Sequence, residues 1–124
     1  MGYTTKGYFS FIDLILFPQI EKPKLMEINK QAVNFTADVK LLEFIDKKIM
    51  KLETFFDRIV TAEVFLRLEK TGQVQDKIAE IKISVPGSVL VAKETTKTFE
   101  ESIDLTASSL KRQLIRYKEK LGAD

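Results

Sequence analysis

The chain contains no cysteine and no histidine. Without cysteine there are no disulfides, no thiolate metal sites and no thiol nucleophile, and the composition fits a reducing cytosol. Without histidine the commonest general base near neutral pH and the commonest zinc ligand are missing. Serine hydrolases that use a histidine base and histidine-ligated metalloenzymes are excluded. Glycine is scarce, at five residues, and no phosphate-cradling glycine loop or G-x-G-x-x-G occurs. No apolar run reaches the ~18–20 residues of a membrane span. Charge of one sign is also lacking. Twenty Lys and Arg stand against eighteen Asp and Glu, for a net charge of +2. Placement of charge, not its sum, must therefore carry any functional argument.

What is present is an ordinary globular composition, 44% hydrophobic and 31% charged, over 124 residues. That length supports one domain. The first 25 residues stand apart. Tyr8 to Ile20 is rich in aromatic and aliphatic residues, and Glu21-Lys22-Pro23-Lys24 reads as a linker. Lys6 is the single early cation, Asp13 and Pro18 interrupt the apolar run, and no A-x-A follows, so a secretory leader fits poorly. Residues 1–25 are read as an N-terminal extension, disordered or the product of an upstream start with Met26 as the true one. Residues 26–124 are read as the functional domain.

From Met26 the elements follow in order. Glu27 to Val33 alternates and reads as a strand. Thr36 is the expected N-cap of a helix carrying Leu41, Leu42, Ile45, Ile49, Leu52 and Phe56 on one stripe and stopping near Phe56-Asp57. Ile59 to Glu69 is β-branched and alternating, with Val60, Ala62, Val64, Leu66 and Leu68 expected inward. Thr71-Gly72 marks a turn. Lys77 to Val85 alternates, with Ala79, Ile81, Ile83 and Val85 inward. Pro86-Gly87-Ser88 is a hairpin signal, followed by a short strand over Val89 to Lys93. A long helix is expected from Thr98 to Leu121, opened by a Thr98/Glu101 capping box, with Phe99, Ile103, Ala107, Leu110, Leu114, Tyr117 and Leu121 as its stripe. The expected fold is α+β, in the order β-α-β-β-β-α. Four strands form one sheet and two helices pack on one face, as in double-stranded-RNA-binding domains.

Charge is concentrated late in both helices. Residues 109–121 carry five cations and one anion. At about 100° per residue, Arg112, Arg116 and Lys120 lie opposite the core stripe, while Lys111 and Lys118 flank it. On the first helix Lys40, Lys47 and Lys51 cluster away from the stripe, with Lys48 at its edge. Two such rows on one face can neutralise phosphates of a folded RNA. Cations late in a helix are also what the helix dipole favours, so a merely solvated face is the simpler alternative. The sheet lacks the exposed aromatic pair that stacks bases in RRM domains, and Phe44, Phe55, Phe56 and Phe65 are expected in or near the core. Recognition by shape and backbone is therefore favoured over sequence readout. Asp104 is expected to support its helix N-terminus or a neighbouring backbone group. Arg58, in the turn after the first helix, is a further candidate contact. No catalytic set, metal site or cofactor site emerges, and the chain reads as a non-enzyme with no small-molecule substrate.

Three stretches carry a family resemblance. They are Phe44 to Asp57, similar to a helix ending K-L-E-x-[YF]-F-D; Ala92-Lys93-Glu94; and Ser102-Ile103-Asp104 with Leu110 to Leu121, similar to A-I-D followed by K-L-x-R-Q-L-x-K-x-K-x-K-L. In order and spacing, residues 26–124 resemble the ribosome hibernation-promoting factor family, also called ribosome-associated inhibitor A or sigma-54 modulation protein. The resemblance implies a cytoplasmic, bacterial protein that binds the small ribosomal subunit, alone or in assembled ribosomes. It would occupy the mRNA and tRNA channel near the A and P sites and inhibit translation in stationary phase or stress. It implies rRNA contacts by Lys48, Lys51, Arg112, Arg116, Lys118 and Lys120. Lys47 and Lys111 join them from the charge map, and Arg58 from the turn. Ser109 and Glu100 depart from the family's usual Lys and Tyr. The end at three residues past Leu121 resembles a short form, a kind associated with ribosome dimers. Another RNA-binding module and a protein-interaction domain are the alternatives. Against the former, the last helix starts acidic, at Glu100, Glu101 and Asp104.

Overall fold

A computed structural model of the chain describes residues 26–69 and 76–122. The expectations for residues 1–25 and for a turn at Thr71-Gly72 lie outside the described residues. The elements are β1 (Glu27–Val33), α1 (Val39–Leu52), β2 (Thr61–Leu68), β3 (Lys77–Val85), β4 (Ser88–Thr96) and α2 (Phe99–Gly122). They form one sheet in the order β1-β2-β3-β4. β1 runs parallel to β2, across the α1 crossover, and the remaining pairs are antiparallel.

The register makes the two faces unequal. Ala62 opposes Ile83, Val64 opposes Ile81 and Leu66 opposes Ala79, and all six are buried. These meet Ile45, Ile49 and Leu52 of α1 and Ile103, Leu110 and Leu114 of α2 in one core. Both helices thus cover the same face, as the alternation requires. The other face carries Glu63, Phe65 and Arg67 of β2 against Lys82, Glu80 and Ile78 of β3.

Several boundaries differ from expectation. Asp38, not Thr36, caps α1. Its carboxylate accepts the Leu41 N–H at 2.8 Å, and the chain enters through Asn34, whose φ of 71° sets a left-handed turn. α1 ends at Leu52, not near Phe56. The Thr54 hydroxyl donates to the Lys51 carbonyl at 2.7 Å and the Phe55 N–H to Leu52 at 3.0 Å, so the last turn tightens and stops. Phe56 still drops into the core. Val60 is exposed; it precedes β2, where the inward-facing alternation begins. Leu68 is only half-buried. β4 runs to Thr96, three residues past the expected Lys93. Glu94, Thr95 and Thr96 pair with Ala79, Ile78 and Lys77, so backbone pairing extends a strand whose side chains turn polar.

α2 begins as expected, with the Thr98 hydroxyl accepting the Glu101 N–H at 3.1 Å. Its buried stripe contains two polar residues that periodicity missed, Ser102 and Thr106. The Ser102 hydroxyl donates to the Lys77 carbonyl at 2.7 Å and lies 2.8 Å from the Thr96 hydroxyl. The Thr106 hydroxyl donates to the Ser102 carbonyl at 2.6 Å. This chain of hydroxyls pins the start of α2 to the ends of β3 and β4. At its far end α2 outruns the sheet. Twenty-four residues span about 36 Å, against about 30 Å for a nine-residue strand. Leu121, expected in the stripe, is therefore exposed.

Candidate nucleic-acid interface

α1 and α2 run in the same direction along the sheet. Lys48 faces Asp104, and seven residues on Phe55 faces Lys111. Between them lies an open cleft of about 350 Å³, with Lys51, Leu52, Ala107 and Ser108 among its walls. Small residues on the α2 side leave room, and Leu52 supplies apolar floor. At about 100° per residue Asp104, Ser108, Lys111 and Lys118 share the α2 flank turned to α1. The opposite flank carries Gln113, whose amide donates to the Val91 carbonyl of β4 at 3.0 Å.

The nine cations singled out from the sequence divide into three sets. Lys48, Lys51 and Lys111 come together around the cleft. Arg58 and Lys118 share a second hollow just beyond it, with Asp57 and Glu53 in its wall. Lys47, Arg112, Arg116 and Lys120 are exposed and line neither hollow. The helical face is thus a cationic groove flanked by Lys47 on α1 and by an outer cationic row on α2.

Not every cation is equally available. Lys48 Nζ lies 2.7 Å from Asp104 Oδ1 and 5.3 Å from the Phe44 ring centre. Asp104 therefore ties the helices together rather than serving its own N-terminus. Lys111 Nζ stands 4.6 Å above the Phe55 ring, and the Arg58 guanidinium 5.3 Å from that of Phe56. Among the described residues, ion pairs involve only Lys30, Lys48 and Lys77. Lys47, Lys51, Lys111, Arg112, Arg116, Lys118 and Lys120 have no described carboxylate within pairing distance.

The aromatic residues separate as well. Phe56 is buried and meets Tyr117 edge to face at 5.5 Å. Phe44 packs against the core. Phe65 lies on the open sheet face beneath Lys82, 5.8 Å away, rather than with the core. Phe55 is half-buried in the cleft wall, outside the core. The doublet Phe55-Phe56 held a signal for this. The spacing Ile45, Ile49, Leu52, Phe56 claims the second ring for the core and leaves the first on the flank.

Among the described residues, no cluster of three or more acidic residues is placed to hold a metal ion, and no helix is long and apolar enough to cross a membrane.

The profile of the Sigma 54 modulation protein / S30EA ribosomal protein family matches residues 28–122. The chain belongs to this family. It is 36% identical over 95 residues to a ribosome hibernation promoting factor of Azotobacter vinelandii, covering 77% of this chain and 85% of that one. It is 32% identical over 96 residues to a ribosome hibernation promoting factor of Escherichia coli K12, covering 77% and 97%. Among solved structures, a ribosomal subunit interface protein of Coxiella burnetii superposes with a TM-score of 0.69 at 23% identity, over 76% of this chain and 99% of that one. The N-terminal domain of Thermus thermophilus Protein Y superposes with a TM-score of 0.65 at 24% identity, over 74% and 99%. These two establish the S30EA fold for the chain. The matched stretch begins inside β1 and includes both helices, so the cationic groove lies within the family's own segment.

Proposed function

We propose that this protein is a ribosome hibernation factor. It binds the small ribosomal subunit, free or in assembled ribosomes, and the helical face enters the mRNA and tRNA channel near the A and P sites. The observation that carries the reading is membership of a family whose relatives bear that function in their names. The cleft, the hollow beyond it and the exposed outer cations support it, since together they account for all nine cations. Lys47, Lys48, Lys51, Arg58, Lys111, Arg112, Arg116, Lys118 and Lys120 are assigned to rRNA phosphates. The mechanism is occlusion: a rigid plug held by charge fills the path of mRNA and tRNA, and no bond is made or broken. The site of action is then the cytoplasm, in stationary phase or stress. Ribosome dimerisation is a further expected effect.

Ribosome binding by phosphate neutralisation must be strongly salt-dependent. Purified protein mixed with small subunits, large subunits and assembled ribosomes should pellet with the first and last at low salt and be released at high salt. Protein that stays in the supernatant at low salt removes the reading. A sucrose gradient of starved cells with only monomeric ribosomes removes the dimerisation clause alone.

A further inference from the structure

The cleft between α1 and α2 holds more than a row of phosphate contacts needs. A site for phosphate alone requires cations. This one also has an aromatic wall, Phe55, an apolar floor, Leu52, and a carboxylate, Asp104, at one end. Its ~350 Å³ falls in the range of about 300–1,000 Å³ typical of small-ligand sites.

We propose that this cleft is a nucleotide subsite for single-stranded RNA. One unpaired base stacks on the Phe55 ring, and its phosphate lies on Lys51 and Lys111. Lys111 now covers that ring at 4.6 Å, a weak contact that a base face replaces. The displaced ammonium is then free for the phosphate, so stacking and phosphate capture are coupled. Asp104 sets the direction. Its negative charge disfavours the nucleotide's own phosphate beside it, and its oxygens can accept the N–H groups of a base edge. A paired base has no free face to offer, so duplex RNA gains nothing from the ring. The inference refines the groove of the proposed function by naming the ligand of one part of it.

The chain has no tryptophan, so Phe55→Trp supplies a single indole in the cleft. Its fluorescence is read during titration with a single-stranded oligoadenylate hexamer, with adenosine monophosphate and with tripolyphosphate. Quenching by the hexamer, by the mononucleotide only at concentrations at least about tenfold higher, and not by tripolyphosphate is expected. Equal quenching by tripolyphosphate, or none by the hexamer, overturns the proposal. Equal affinity for hexamer and mononucleotide overturns the assignment to RNA. Two measurements do not depend on that variant. The base protons of adenosine monophosphate should move upfield on the unaltered protein, as ring stacking requires, and unmoved resonances argue for overturning. Phe55→Leu should weaken hexamer binding by about tenfold, within the range of base–aromatic stacking, while Phe55→Tyr retains it. Hexamer binding unchanged in Phe55→Leu, or a twelve-base-pair duplex weakened equally, overturns the site. These assays contain no ribosome. If they succeed and pelleting fails, the hibernation reading falls and the subsite stands. If pelleting succeeds and Phe55 is silent, the reverse holds.

Discussion

Lys48 and Asp104 join the two helices across the mouth of the cleft, with Nζ 2.7 Å from Oδ1. Both side chains are part-exposed, at 34% and 50%, so water screens the pair. Pairs of this kind contribute about 0–1 kcal/mol to stability. The larger consequence is electrostatic competition. Asp104 holds a cation that rRNA would otherwise take, and adds a negative charge beside the groove. Asp104→Asn keeps one oxygen acceptor for a base edge but releases Lys48, so it should leave thermal stability nearly unchanged and tighten ribosome binding at 0.1 M salt by up to about eightfold. Quantitative pelleting measures the change, and weaker binding in the variant would contradict the account.

The outer row of α2 gives a second prediction. Arg112→Gln with Arg116→Gln removes two cations from exposed positions outside the core. The log–log dependence of ribosome affinity on salt should flatten by about 1.8, and affinity at 0.1 M salt should fall by about sixtyfold. Reversal of both to Glu should go beyond a hundredfold. Circular dichroism should not change. An unaltered slope in the folded variant would remove both residues from the interface.

The hydroxyl chain at the start of α2 should be costly to break. Ser102 is fully buried and its hydroxyl satisfies the Lys77 carbonyl at 2.7 Å. Ser102→Ala takes the hydroxyl away from that carbonyl, while the Thr96 hydroxyl keeps the Thr98 carbonyl as its acceptor. A loss of about 1–3 kcal/mol is expected. For a domain of this size each kcal/mol lowers Tm by about 4–8 °C, which calorimetry will read. Ribosome affinity of the remaining folded protein should be unchanged, since Ser102 lies far from the outer cations.

Gly87 offers a test of backbone strain without crowding. Its φ of +84° follows Pro86 in the β3–β4 turn, the pairing that a type II turn uses. A methyl placed there would meet only the Tyr117 hydroxyl, at 3.8 Å, an ordinary contact. That hydroxyl donates to the neighbouring Pro86 carbonyl. Gly87→Ala should therefore cost about 1–2 kcal/mol through the left-handed backbone alone. Chemical denaturation should show a lower midpoint with an unchanged slope.

Strongly periodic elements were legible in the sequence. β3 lies over the expected residues and α2 within one residue of its expected ends, because burial of one face imposes a period that apolar residues record. Termini held by single polar contacts were not. Asp38 and Thr36 are both competent caps, and only the left-handed turn at Asn34 decides between them. The polar end of β4 carried no hydrophobic signal, since its pairing partner, not its side chains, makes it a strand. The site followed the same division. That Lys111 and Lys118 flank the stripe follows from helix geometry alone. The Lys48–Asp104 pair and the exposure of Phe55 depend on how two helices lie side by side, which no single helix records.

The shared direction of α1 and α2 has an orienting effect. Acidic residues Asp38, Glu100 and Glu101 lie where both helices begin, and Lys51, Arg58, Lys118 and Lys120 where both finish. Along α2 the charge runs from acidic at its start to cationic at its end, despite a net charge of only +2. A polyanion acts on such a body with a torque as well as a pull, turning the cationic end forward during diffusional approach. A polyanionic partner would therefore meet the protein already aligned, before any contact forms.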